Sequence, residues 1–198
     1  MKFENFHILF KIGIMFLVLV SISPVFDLIN VFSEKNENYS QFFLLDSNYK
    51  VGSYPFAVQA NEDYSFFVKI VNKLEQSEYY KILVKLANQT SIVADGYGLL
   101  SEIDTLCESR VIVDNGNFSE IPFNFQILNT SIYDDFLTIK KVSINGKICN
   151  IICSSEWNTN KEGFYFQLFL ELWRYDVLIG DFIYDDKTVS LWIKVDLS

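Results

Sequence analysis

The sequence predicts an all-β chain, an immunoglobulin-like antiparallel β-sandwich preceded by one N-terminal transmembrane helix. Three observations predict it. Eight to ten short segments rich in aromatic and β-branched residues recur with turn signals between them. A 21-residue apolar run, residues 12–32, holds a single ionisable group, Asp27. Half the residues are hydrophobic and 17% aromatic, with only 8 Gly and 3 Pro among 198, which excludes disordered and collagen-like chains. A small β-barrel is the alternative architecture.

The apolar run comes first. As a helix it is about 31 Å long, matching a hydrocarbon core of about 30 Å. Lys2 and Lys11 precede it and Lys35 alone follows closely, so residues 1–11 are expected in the cytoplasm and the remainder outside. A cleaved signal peptide is the competing reading, with residues 12–20 as its apolar core and Ser21 and Ser23 before the cut. Pro24 would then follow the scissile bond, and no A-x-A pattern is present. Residues 33–40 read as a linker and 41–198 as the extracytoplasmic sandwich. Lys2 and Lys11 balance Glu4 and Asp27, so the whole net charge of −9 belongs to the exported part. That sign repels phosphate backbones and excludes nucleic acid as a partner.

Along the exported part, residues 41–46 (QFFLLD) and 54–59 (YPFAVQ) read as strands. Residues 64–71 (YSFFVKIV) and 78–86 (EYYKILVKL) are strand-like, and the polar 72–77 between them predicts a hairpin. Residues 106–114 and 120–128 form a second expected hairpin around Asn115-Gly116-Asn117. Asn145-Gly146 between two apolar runs is a type I′ hairpin signal. Strands are expected again at 164–173, 177–184 and 189–195. A short turn of helix competes within 91–106.

Four places resemble a known family. They are Gln41 to Asp46, Tyr54-Pro55, the run Val68-Lys69-Ile70-Val71-Asn72 with Glu75 and Tyr79-Tyr80, and the closing Leu191-Trp192-Ile193-Lys194-Val195. Together they resemble an uncharacterised archaeal membrane-protein family, the domain of unknown function 1616. Lys73-Leu74 stands where the family pattern has His-Glu. The resemblance implies an archaeal surface protein with a sandwich ectodomain and carries over no catalytic residue.

The one histidine, His7, precedes the apolar run, so the exported part has no Ser-His-Asp or Cys-His machinery and no histidine metal ligand. The cysteines are Cys107, Cys149 and Cys153, and the CNIIC spacing matches neither zinc nor thioredoxin-type sites. In an exported domain a disulfide is the default, joining Cys107 to either Cys149 or Cys153, and three buried free cysteines are the alternative. On one continuous strand Cys149 and Cys153 would stand about 13 Å apart, beyond bridging distance. Asp134-Asp135 and Asp185-Asp186 are Ca²⁺ candidates or parts of a glycosidase carboxylate pair, with Glu156 or Glu171 as further partners. No D-x-D-x-D-G loop is present, and solvated turn caps are the plainer reading. Trp173 and Trp192 are expected in packing and Trp157 at an exposed contact. Asn38, Asn88, Asn117 and Asn129 open N-x-[ST] sequons, candidates for glycosylation.

The functional expectation is a non-catalytic, membrane-anchored module at the cell surface, single-pass, with no cofactor. It would meet cell-surface proteins or glycans, or serve the envelope structurally. A carboxylate-based carbohydrate-active enzyme and an accessory subunit of a membrane complex are the alternatives.

Overall fold

Alternating apolar side chains in short segments give strands that each need one face covered. The computed structural model describes residues 38–52, 54–89 and 103–196. The expected cytoplasmic segment, the anchor and residues 33–37 of the linker lie outside the described residues, as do residues 91–102 of the stretch where a helical turn was expected. The described end of that stretch is already strand.

In chain order the strands are β1 (Tyr39–Leu45), β2 (Ala57–Gln59), β3 (Tyr64–Lys73), β4 (Glu78–Asn88) and β5 (Thr105–Val113). They continue as β6 (Phe118–Tyr133), β7 (Phe136–Ile144), β8 (Lys147–Glu156), β9 (Phe164–Asp176) and β10 (Asp181–Asp196). They form two five-stranded sheets, β1-β3-β6-β7-β8 and β2-β10-β9-β4-β5. Among the described residues only β2 with β10 is parallel. The described residues form an all-β sandwich. Among the described residues the sheets share no ladder, so the barrel alternative does not apply.

The core lies between the sheets. Phe66, Val68 and Ile70 of β3 and Phe125 and Ile127 of β6 belong to one apolar cluster with Ile82, Val84 and Leu86 of β4. Phe166, Leu168 and Leu170 of β9 complete its centre. β9 reads as an almost unbroken apolar run because both of its faces are covered: Tyr165, Gln167, Phe169 and Glu171, on the face away from that cluster, are also buried.

The Asn145-Gly146 hairpin forms as its sequence dictates. Both residues have positive φ, 50° and 78°, which Asn and Gly tolerate and the type I′ turn requires. The Asn145 side chain also accepts from the Asn124 amide at 2.7 Å and donates to the Pro122 carbonyl at 3.0 Å, tying the turn to β6.

The other two expected hairpins are not hairpins. β3 and β4 lie in opposite sheets, as do β5 and β6, so both connections cross the sandwich. Each strand thereby buries its apolar face against the other sheet. Asn72 holds both crossings. Its amide donates to the Gln76 and Val113 carbonyls, its Oδ1 accepts from the Leu74 amide, and its backbone bonds Gly116 and Asn117.

The strand expected over 177–184 is also corrected. Val177, Leu178, Ile179 and Gly180 form the β9–β10 turn, and β10 then runs unbroken to Asp196 except for a bulge at Asp185-Asp186. Asp176 is the reason. Its carboxylate accepts from the Leu178 and Ile179 amides at 2.8 and 3.0 Å, and Gly180 at φ 76° closes the loop onto the Asp176 carbonyl.

Candidate binding groove

β8 and β5 are the outer strands of their sheets on the same side of the sandwich. A groove of about 1000 Å³ opens between them. Its floor holds Leu86, Leu106, Cys149 and Cys153; Ile148 and Ile152 stand on its β8 rim. They alternate outward along β8 with the inward cysteines, and they are 61% and 88% exposed. Lys140, Lys147 and Asp104 supply the charge around it. β8 pairs only with β7 among the described residues, so its second backbone edge faces the groove unladdered. Sequence reasoning missed this groove because nothing local says which strands end a sheet.

All three cysteines are free thiols in this structure. Cys149 and Cys153 both lie on β8 and face the core, the strand geometry that separates them. Cys149 Sγ instead sits 3.2 Å from the Leu106 carbonyl oxygen, across the sandwich. That oxygen belongs to the peptide leading into Cys107, about 2.8 Å from its Cα, so the sulfur lies within about 6 Å of the Cys107 backbone. Cys153 points elsewhere, toward the Leu86 carbonyl at 3.9 Å. Burial pushes the Cys107 thiol up to about 11, and the neighbouring Cys149 adds to the shift; burial alone moves Cys153 to about 11. Both are protonated at neutral pH and react slowly as nucleophiles. Peptide mapping of the oxidised chain is expected to yield a Cys107–Cys149 peptide. A Cys149–Cys153 peptide would contradict the strand geometry.

The acidic pairs do not converge. Asp134-Asp135 forms the exposed β6–β7 turn, where the Asp135 carbonyl accepts from the Trp157 amide at 2.8 Å. Asp185-Asp186 forms the β10 bulge near the opposite end, on the other sheet. Asp185 is committed to ion pairs with Arg174 at 3.4 Å and Lys187 at 3.0 Å, and it accepts from the Ser40 hydroxyl. Glu171 is fully buried against Lys85, whereas Glu156 is exposed at the end of β8. Among the described residues no three acidic, Cys or His side chains group as a metal site would need.

A polar cluster unseen in the sequence surrounds Tyr80. Glu78 lies 3.6 Å from Arg174, which also meets Asp185. The Tyr80 hydroxyl is buried there beside Ser40. Burial, then Asp185 and Glu78, raise its pKa well above the ordinary range.

Of the sequon asparagines, Asn38, Asn117 and Asn129 are exposed. Asn88 is half-buried, and its amide donates to the Ser154 carbonyl at 2.7 Å. Trp173 is half-buried, with Lys81 5.0 Å over its ring; Trp157 is exposed as expected, with one edge against Phe164, and Trp192 is equally exposed rather than packed.

The chain matches no family model and no curated protein. Among solved structures it is similar to the CARDB domain of the PF1109 protein from Pyrococcus furiosus, crystallised with di-metal ions. The TM-score is 0.42 at 9% identity, over 81% of this chain and 96% of that one. A β-glucosidase from Listeria innocua in complex with isofagomine gives 0.39 at 13%, over 79% of this chain but only 16% of the enzyme. Spo0M, the sporulation control protein of Bacillus subtilis, gives 0.39 at 14%, over 80% and 50%.

Proposed function

We propose that this chain is a non-catalytic, membrane-anchored surface module, single-pass with its sandwich outside. It meets cell-surface proteins or glycans, or serves the envelope structurally, through the open β5–β8 side. The observation that carries the reading is the edge of β8, unladdered among the described residues, beside an apolar-floored groove. An extended partner segment would add as a strand to that edge and seat alternate side chains in the groove, with Ile148 and Ile152 as rim contacts. The apolar run at 12–32 and the resemblance to the archaeal membrane-protein family support the location. The strand order supports an immunoglobulin-like sandwich: β10-β9-β4-β5 corresponds to strands G-F-C-C′, and β1-β3-β6 to A-B-E, with the β7–β8 hairpin as an addition.

The test is recovery of complexes from native membranes using the full chain. Ile148→Lys/Ile152→Lys is expected to lose its co-purifying partner, whereas Asp134→Asn/Asp135→Asn retains it. Both pairs are surface positions, so unchanged unfolding midpoints separate binding from stability. Hydrolysis of surface glycans by the purified chain, abolished by the aspartate changes, would overturn the non-catalytic reading.

A further inference from the structure

The β9–β10 turn exposes three consecutive aliphatic side chains: Val177 is 83% exposed, Leu178 97% and Ile179 66%. They do not fold back on the sandwich. The Asp176 carboxylate and Gly180 lock the turn, so its backbone holds them outward. Isolated exposed apolar residues are ordinary, but three in a row at a hydrogen-bonded tip leave one apolar knob in water.

The place of this knob suggests what covers it. Tyr39 at the start of β1 pairs with Lys73, the last residue of β3, and the Ser40 hydroxyl donates to Asp185 of β10. The chain therefore enters the sandwich at the end that carries the 177–180 turn. The β6–β7 turn lies at the other end. Residue 38 is preceded by 37 residues, among them the apolar run that stops at Phe32. The intervening residues 33–38, fully extended, reach at most about 20 Å.

We propose that the Val177-Leu178-Ile179 tip is a membrane contact, burying its aliphatic side chains in the interface of the bilayer that the 12–32 segment anchors. This rests on the anchored reading above. Three aliphatic side chains bind a bilayer only weakly by themselves, but a tether of this length makes the contact intramolecular and raises its effective concentration. Asp176 and Asp181 flank the tip, so the attraction is apolar rather than directed at anionic headgroups, and salt leaves it unchanged.

The test uses the full chain reconstituted in phosphatidylcholine vesicles. A nitroxide is attached at Leu178→Cys, with Tyr133→Cys at the far end as reference, both in a Cys107→Ser background. Collisions with oxygen and with a polar nickel chelate report the depth of each label. The label at 178 is expected to favour oxygen several-fold over the reference, and roughly 1 M salt should not change this. Val177→Ser/Ile179→Ser in the same background should return the label to water while the chain stays in the vesicles. Equal values at 178 and 133, with the chain resisting an alkaline carbonate wash, would overturn the contact and leave the anchor standing. Release by carbonate would instead remove the anchored reading and the inference with it. Protection at 178 in native membranes but not in lipid vesicles would identify a protein in place of lipid and overturn the proposal.

Discussion

Lys85→Met is expected to destabilise the fold by about 3–5 kcal/mol, the cost of leaving a buried charge without its counterion. Lys85 Nζ lies 2.9 Å from Glu171 Oε1, with side chains 5% and 0% exposed. The other Glu171 oxygen accepts from Trp173 Nε1, at 3.2 Å. With the lysine gone, the neutral indole is the donor left to the carboxylate among the described residues. The double variant Lys85→Met/Glu171→Met should recover most of the loss, because two desolvated charges are replaced by apolar groups of similar length. Urea unfolding of the full chain in detergent micelles, followed by tryptophan emission, measures both. A single variant within about 0.5 kcal/mol of the parent would show that the pair is solvated after all.

Phe166→Ala should cost a similar amount, about 3–5 kcal/mol, by a different route. Phe166 is fully buried on the core face of β9, opposite Ile193 of β10 and Asn88 of β4. Truncation removes a ring that both neighbouring strands and the facing sheet enclose, and strands held by two ladders cannot collapse into the cavity. The control is Ile152→Ala on the β8 rim, a change expected to stay within about 0.5 kcal/mol. Comparable losses at both sites would mean that the groove rim is itself packed rather than open.

The positions of most strands, the class of the fold and the Asn145-Gly146 hairpin were legible in the sequence, because each rests on interactions within a few residues. Side-chain alternation sets which face of a strand is apolar, and two residues suffice to select a turn with two positive φ values. The same locality misled the reading at 177–184, where three aliphatic residues read as strand. The signal that could have found the turn was Asp176 followed four residues later by Gly180, a carboxylate cap and a left-handed closer.

Pairing was not legible. The polar stretches at 72–77 and 114–117 are as suitable for crossing between sheets as for turning back within one. The choice falls to burial, since β3 and β4 each bury an apolar face in the core between the two sheets. Asn72 became the hub of both crossings only once Val113, Gly116 and Asn117 had been brought to it from more than forty residues away. The groove has the same origin: Ile148, Cys149 and Leu106 carry no shared motif, and they meet because β8 and β5 end their sheets on one side. The sequence by itself determined where strands run and which faces are apolar, through forces that act between near neighbours. Which strand lies beside which, which edges stay open and which charges are enclosed were decided only by the tertiary structure, because those outcomes depend on how all ten strands bury their apolar faces at once.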